Sequence, residues 1–280
     1  MIVDCHTHVF LREHLGAPFV DEIRGPGGAP WSLDADARAH AAGTAAADVA
    51  ICFGMQARHI GFVVPNDFVA EVVRADPARL IGFAGIDPSL PGAVAEIDRC
   101  ADELGLAGIK LGPPYADVDP RDERMDPVYA RAQHRGLPVL LHTGTTPHAT
   151  APLRFGHPEA IDDVARRYPA LRIVMAHVSH PWEREAIAVV RKHAHVYADV
   201  SALVYRPFQL WQTLWSAHEY AADGKLLLGS DFPIVSTQDT IDGLRALAAA
   251  PRWGPPVPAE VVEGIIERDT LALLGLEPPR

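Results

Sequence analysis

The chain has 280 residues, 48% apolar and 22% charged, the ordinary balance of a soluble globular protein with room for a large core. Its formal net charge of −11 gives it no field for a phosphate backbone, which argues against a nucleic-acid partner. Cys5, Cys52 and Cys100 have neither metal nor redox spacing, the opening MIVDCHTHVF lacks the features of a signal peptide, and no apolar stretch is long enough to cross a bilayer. A small-molecule partner, no membrane and a cytoplasmic location are the expectations.

Short apolar runs alternate with amphipathic segments along the chain. The runs are Ile2–Phe10, Val49–Phe53, Leu80–Ile86, Ala107–Leu111, Leu137–His142, Leu171–His177, His195–Val200 and Lys225–Gly229. Each is rich in Val, Ile and Leu and nearly continuous, as parallel strands buried on both faces require. Between them the pattern predicts helices over Asp34–Ala47, Asp67–Ala75, Ala93–Leu104, Pro127–Arg135, Pro158–Tyr168, Trp182–His193 and Phe208–Ala222, with Thr240–Ala249 after the last strand. Asp126-Pro127 reads as an N-cap followed by proline in the first turn, and Gly105 and Gly136 stand where helices stop. Such alternation predicts a (β/α)8 TIM barrel over residues 1–280, one domain, with an open doubly wound sheet as the competing arrangement. Leu11–Ser32, with Gly25-Pro26-Gly27-Gly28 and Trp31, reads as a long loop that offers a homodimer interface. A last helix over Ala259–Leu274 is expected to pack outside the barrel.

Strand alternation places His6 and His8 on one face, with Asp4 beside them and Val3, Cys5 and Thr7 opposite. A lone His-x-His pair is weak evidence of a metal site. Later runs strengthen it: Leu141-His142, Ala176-His177 and Gly229-Ser230-Asp231 each end an apolar run in a metal-competent side chain. All lie at the C-terminal strand ends, where barrel enzymes place their chemistry.

His6-x-His8, His142, His177 and Gly-Ser-Asp231, together with Gly108-Ile109-Lys110-Leu111 and Ala176-His177-Val178-Ser179-His180-Pro181-Trp182, resemble the amidohydrolase superfamily. The likeness is to its amidohydrolase-related branch, which includes aminocarboxymuconate-semialdehyde decarboxylase, and it runs over nearly the whole chain. The resemblance implies one divalent metal held by His6, His8, His142 and Asp231, zinc in first place and manganese as the alternative. It implies catalytic roles for Asp231, which would take a proton from an activated water, and for His177 as acid, base or polarising group. Lys110 sits where two-metal members carry a bridging carboxylated lysine; a substrate-anion contact or structural ion pair is expected here instead.

His180, Trp182, Tyr205 and Phe232 join Lys110 as candidate substrate contacts, and Phe10, Trp31 and Tyr115 as further pocket aromatics. His14, His59, His148 and His157 lie in loops within reach of a pocket, and His40, His134, His193 and His218 are expected to be solvated on helices. Arg58 and Arg154 are candidate carboxylate partners, more simply read as surface residues. Trp211 and Trp215 share a helical face and read as core. Two reactions fit the branch: hydrolysis of a small amide, lactone or ester by metal-bound hydroxide, and non-oxidative decarboxylation of a small unsaturated or aromatic acid. Val178-Ser179-His180-Pro181-Trp182 replaces the glycines that follow the corresponding histidine in characterised decarboxylases, so hydrolysis is the expectation. A non-catalytic ligand-binding barrel is a third reading, opposed by the complete ligand set.

Overall fold

The computed structural model describes residues 1–23 and 35–279. Eight parallel strands form one sheet in chain order: β1 (Val3–His8), β2 (Val49–Phe53), β3 (Leu80–Gly85), β4 (Gly108–Leu111), β5 (Val139–Leu141), β6 (Ile173–Met175), β7 (Val196–Asp199) and β8 (Leu226–Leu227). The two ends of the sheet meet. Cys5 N donates to Leu228 O (2.9 Å), Asp231 N to His6 O (2.8 Å) and His8 N to Phe232 O (2.8 Å), which closes the barrel. The chain is a (β/α)8 TIM barrel, as the alternation predicts.

Eight helices follow the strands: α1 (Ala37–Gly43), α2 (Asn66–Ala75), α3 (Ala93–Asp102), α4 (Asp126–Arg135), α5 (Glu159–Arg167), α6 (Glu183–Lys192), α7 (Pro207–Glu219) and α8 (Thr237–Ala249). Their apolar stripes explain them. In α5, Ile161, Val164 and Ala165 recur at helical spacing and are buried, while Asp162, Asp163 and Arg166 stay at least partly exposed. Ile161 has no exposed surface, so its burial contributes roughly 1.5–3 kcal/mol, and Ile161→Asp would undo the docking of this helix. Gly105 and Gly136 do have left-handed φ values (72° and 68°) at helix exits. Asp126, by contrast, is the first helical residue, not the cap. Met125 takes the cap position, and the Asp126 carboxylate receives the Tyr168 hydroxyl (3.0 Å).

The core has two layers. Val3, Cys5, Val49, Ile51, Phe53, Phe83, Leu140, Val174, Tyr197 and Leu227 pack within the barrel, while Ala50, Cys52, Ile109, Leu141, Ile173, Met175 and Ala198 pack outward against the helices. This layering overturns the simple alternation expected in β1. Asp4 pairs with Ala50 but Thr7 pairs with Cys52, so Cys5 and His6 together oppose Ile51. The extra residue is a β-bulge. Val3 and Cys5 therefore belong to the interior layer, whereas Asp4 leaves it and bonds Thr237 Oγ1 (2.6 Å) and Ser230 N (3.0 Å).

The last segment is two helices, α9 (Ala259–Ile266) and α10 (Thr270–Leu274), not one. Leu271 and Leu274 of α10 join the interior cluster with Val3, Val49 and Leu227, so this end of the chain packs with the barrel core and not merely outside it. A hairpin, Gln56–Ala57 with Phe62–Val63, and short helices Ala17–Glu22 and Pro113–Ala116 decorate the C-terminal rim and were not foreseen. Trp31, the Gly25–Gly28 run and the expected start of the first helix at Asp34 lie outside the described residues. Among the described residues, no helix is long and apolar enough to cross a membrane.

Candidate metal centre and active site

His6 and His8 leave β1 on the inner side of the barrel because the bulge ends before Thr7. Asp231 meets them from the turn after β8. Its Oδ1 lies 3.2 Å from Nε2 of His6 and 3.2 Å from Nε2 of His8. The approach of these strand ends depends on Gly229: a Cβ there would stand 2.9 Å from Cβ of His6. Asp231 has φ 64°, a left-handed conformation that non-glycine residues hold at a cost of about 1–3 kcal/mol, and His177 (φ 57°) and Val178 (φ 43°) share it. Strain is thus stored in the two turns that carry the chemical groups.

Asp199, at the end of β7, holds the cluster from beneath. Its Oδ2 accepts from His6 Nδ1 (2.9 Å), and its Oδ1 accepts from His177 N (3.0 Å), Ser201 N (3.1 Å) and the Ser201 hydroxyl. Since Ser201 gives its proton to Asp199, its oxygen accepts from His177 Nδ1 (2.8 Å). The carboxylate therefore fixes the proton of His6 on Nδ1 and leaves Nε2 as a lone-pair donor; the same logic leaves Nε2 of His177 free.

The electrostatics agree. Burial pushes the Asp231 carboxyl up, but His6, His177 and the hydrogen bonds from His6 and His8 outweigh it and hold it well below the usual carboxylate range. Asp199 is likewise lowered against its burial by His6, His177 and Ser201. Burial takes His8 down to about 4, and burial with neighbouring His177 takes His142 well below its ordinary value. For His6, burial and Lys110 push down while Asp199 and Asp231 push up, and the carboxylates prevail. His8 and His142 are thus held as neutral imidazoles and Asp199 and Asp231 as ionised carboxylates, the states a divalent ion requires, while His6, raised by its two carboxylates, would release a proton on binding one. Two ring nitrogens, one ionised oxygen and a carboxylate-oriented histidine fit such an ion, with ligand atoms of His6, His8 and Asp231 all within 4.8 Å of one another.

Other expected residues fall into three places. His142 is outside that triplet; its ring lies 5.1 Å from that of His177 and 4.4 Å from Tyr115, on the wall of the same cavity. Lys110 is fully buried below the cluster, its Nζ 3.3 Å from His6 Nε2 and 4.6 Å from the centre of the Phe53 ring, and burial lowers it to about 8. His180, Tyr205, Phe10 and Tyr115 line the cavity. Trp182 and Phe232 do not: Trp182 packs on His157 (5.0 Å), and Phe232 lies against His40 (5.8 Å) and fills the space above Gly43.

The cavity is about 310 Å³, walled by Phe10, Phe19, Met55, Phe62, Tyr115, Leu203 and Ile234, with His8, His142, His177 and Asp231 among its polar groups. Arg206 is the only arginine or lysine on its wall among the described residues; it lies over the Tyr205 ring (4.3 Å) and has no ion-pair partner among those residues. Arg58 and Arg154, by contrast, are exposed and off this wall. Sequence reasoning missed Arg206, Asp199, Ser201 and Thr145. Asp199 carried the usable signal, since Val196-Tyr197-Ala198-Asp199 is another apolar run ending in a metal-competent group. His148 reaches the wall, as allowed for; His14, His59 and His157 do not. His40, expected in solvent, is 1% exposed, its ring bonded to Thr7 of β1 and set against Phe232.

A closed parallel barrel with a histidine–aspartate cluster at its C-terminal mouth is an arrangement able to hold a divalent ion where barrel enzymes place their chemistry. The amidohydrolase family model matches residues 3–276, and the chain belongs to that family. Among curated proteins it is 31% identical over 78 residues to 2-amino-3-carboxymuconate-6-semialdehyde decarboxylase of Dictyostelium discoideum, 28% of this chain and 22% of that protein. It is 27% identical over 145 residues to gamma-resorcylate decarboxylase of Polaromonas sp., covering 40% and 43%. The matched stretches thus span under half the length of either relative.

Solved structures share the fold. An uncharacterised TIM-barrel protein from Bordetella bronchiseptica has TM-score 0.75 at 21% identity, covering 98% of this chain and 99% of its own. A probable 2-pyrone-4,6-dicarboxylic acid hydrolase from Acinetobacter baumannii with citric acid bound has TM-score 0.67 at 14%, covering 98% and 99%. Dihydroxybenzoic acid decarboxylase from Polaromonas sp. with bound manganese has TM-score 0.63 at 16%, covering 98% and 96%.

Proposed function

We propose that the protein is a metal-dependent non-oxidative decarboxylase of a small aromatic or unsaturated carboxylic acid. The observation that carries this is the cavity: apolar and aromatic walls, the Arg206 guanidinium with no carboxylate partner among the described residues, and a histidine–aspartate cluster. A planar acid of one ring suits that space, with Arg206 pairing a carboxylate. Both curated relatives are decarboxylases, which supports the lyase reading over the hydrolysis expected from Val178–Trp182. Of the segment that replaces the decarboxylase glycines, His180 lines the cavity and Trp182 packs on His157.

His6, His8 and Asp231 would hold the ion, with His142 nearby. When bound, it supplies Lewis-acid polarisation of substrate oxygens. The aromatic wall orients the ring and excludes water. In the reaction the bond between ring carbon and carboxylate breaks, its electron pair stays on the ring carbon, carbon dioxide leaves, and one proton restores the valence. His177 takes that proton from solvent on its free Nε2 and delivers it, while its Nδ1 stays tied to Ser201. Carbon dioxide release from a panel of hydroxybenzoic and unsaturated dicarboxylic acids, abolished by chelation, tests the proposal. Lactone or ester cleavage without carbon dioxide would return the assignment to hydrolysis. Arg206→Gln should raise KM by at least about tenfold for active acids, the worth of one charge-assisted hydrogen bond.

A further inference from the structure

The bulge in β1 sets two residues, Cys5 and His6, opposite Ile51 alone. A bulge interrupts the ladder and lets the strand bend, which leaves the aim of the residues beyond it underdetermined unless something else holds them. Thr7, between the two metal-competent histidines, points outward at this place. Its hydroxyl donates to Ile51 O (2.8 Å), the carbonyl facing the bulge. Having given its proton there, Thr7 Oγ1 accepts from His40 Nε2 (2.8 Å). His40 is buried on α1, and the same ring meets Phe232 edge-on (5.8 Å, 88°), the residue directly after Asp231. Gly43, one turn along α1, leaves the space Phe232 occupies; a Cβ there would lie 2.1 Å from that ring. One helix thus touches both chain segments that deliver the cluster, from the side away from the cavity.

We propose that Thr7 and His40 form a positioning pair that locks the bulged end of β1, so that His6 and His8 converge with Asp231 on a single ion. The proposal rests on the metal-site reading above but not on the reaction assigned to it. Neither residue touches substrate; they act through the aim of His6 and His8.

The test is zinc affinity of the purified full-length protein, measured by competition with a chromophoric chelator beside the absorption spectrum of the cobalt-loaded form. Thr7→Val keeps the shape and removes both hydrogen bonds. It should weaken zinc binding about 10–100-fold and alter the cobalt spectrum, the usual effect of losing a group that orients a ligand. Thr7→Ser keeps the hydroxyl and should stay within about threefold of the native protein, a rescue that packing alone does not give. Native zinc affinity in folded Thr7→Val, or equal weakness of Thr7→Ser and Thr7→Val, overturns the proposal. Should Thr7→Val fail to fold, His40→Leu decides, since it leaves the Thr7–Ile51 bond intact: about tenfold weaker zinc binding supports the pair, and unchanged binding overturns it. A native protein that binds no zinc, manganese or cobalt at all removes the metal site itself, and the pair with it.

Discussion

Asp199→Asn changes one atom and should disarm His6. The carboxylate accepts with both oxygens: Oδ2 from His6 Nδ1, and Oδ1 from His177 N, Ser201 N and the Ser201 hydroxyl. An amide has one accepting oxygen. Three donors converge on the Oδ1 side, so the oxygen stays there and the NH2 turns toward His6 Nδ1. His6 must then accept at Nδ1 and carry its proton on Nε2, the nitrogen 3.2 Å from Asp231. A protonated Nε2 cannot bind an ion. The lost charge-assisted hydrogen bond is worth about 1.5–3 kcal/mol, which converts to roughly 10–150-fold in metal affinity. The assay is equilibrium zinc binding, with thermal unfolding of the metal-free protein as the control on folding. Asp199→Asn with native metal affinity would refute the tautomer argument.

Three further outcomes follow from buried groups. Burial, helped by Arg79, lowers His40 to about 4, so its folded form resists protonation while an unfolded histidine accepts a proton near 6.5. The stability this contributes is complete above the unfolded value and is lost as pH falls toward the folded one, about 2 kcal/mol by pH 5; urea unfolding at pH 7 and pH 5 should show a smaller gap between native and His40→Gln at the lower pH, and a constant gap would contradict the assignment. His148 is 3% exposed and neither ring nitrogen has a hydrogen-bond partner among the described residues, though the Glu22 carboxylate stands 3.5 Å from Nδ1. The stack on Phe19 (5.0 Å, 27°) suits a phenyl ring, so His148→Phe should raise Tm by about 2–4 °C, corresponding to roughly 1 kcal/mol; a lowered Tm would show that the Glu22 contact is worth more than the unmet nitrogens. Gly229→Ala should abolish metal binding or folding, since its Cβ would meet His6, Ser201 and Asp199 at 2.9–3.3 Å; a native-like variant by calorimetry and metal content would contradict the close approach.

The barrel was legible because its strands are short, continuous apolar runs bounded by helices, a pattern that survives boundary errors of a few residues. His6, His8 and Asp231 were legible for the same reason, as polar residues that end such runs at one rim. Asp4 was misplaced because alternation assumes an unbroken pleat, and no residue in Val3-Asp4-Cys5-His6 announces a bulge. His40 was misread since helical periodicity gives a face but not the neighbour that covers it, here Thr7 and Phe232. Trp182 and Phe232 follow strand ends as pocket residues do, yet the turns after β6 and β8 adopt left-handed backbone at His177, Val178 and Asp231. Those turns direct the next side chains elsewhere, and only the folded backbone reveals it. Arg206 lay in a loop with no pattern to separate it from Arg58 or Arg154.

The most direct test of the account is metal content of the native protein beside His8→Ala and Asp231→Asn, each purified after growth with zinc or manganese supplied and measured by plasma mass spectrometry. The account predicts about one divalent ion per native chain and a loss of most of it in both variants, with folding retained. A native protein without metal under either supply, or variants that keep the full complement, would contradict a metal centre built on His6, His8 and Asp231.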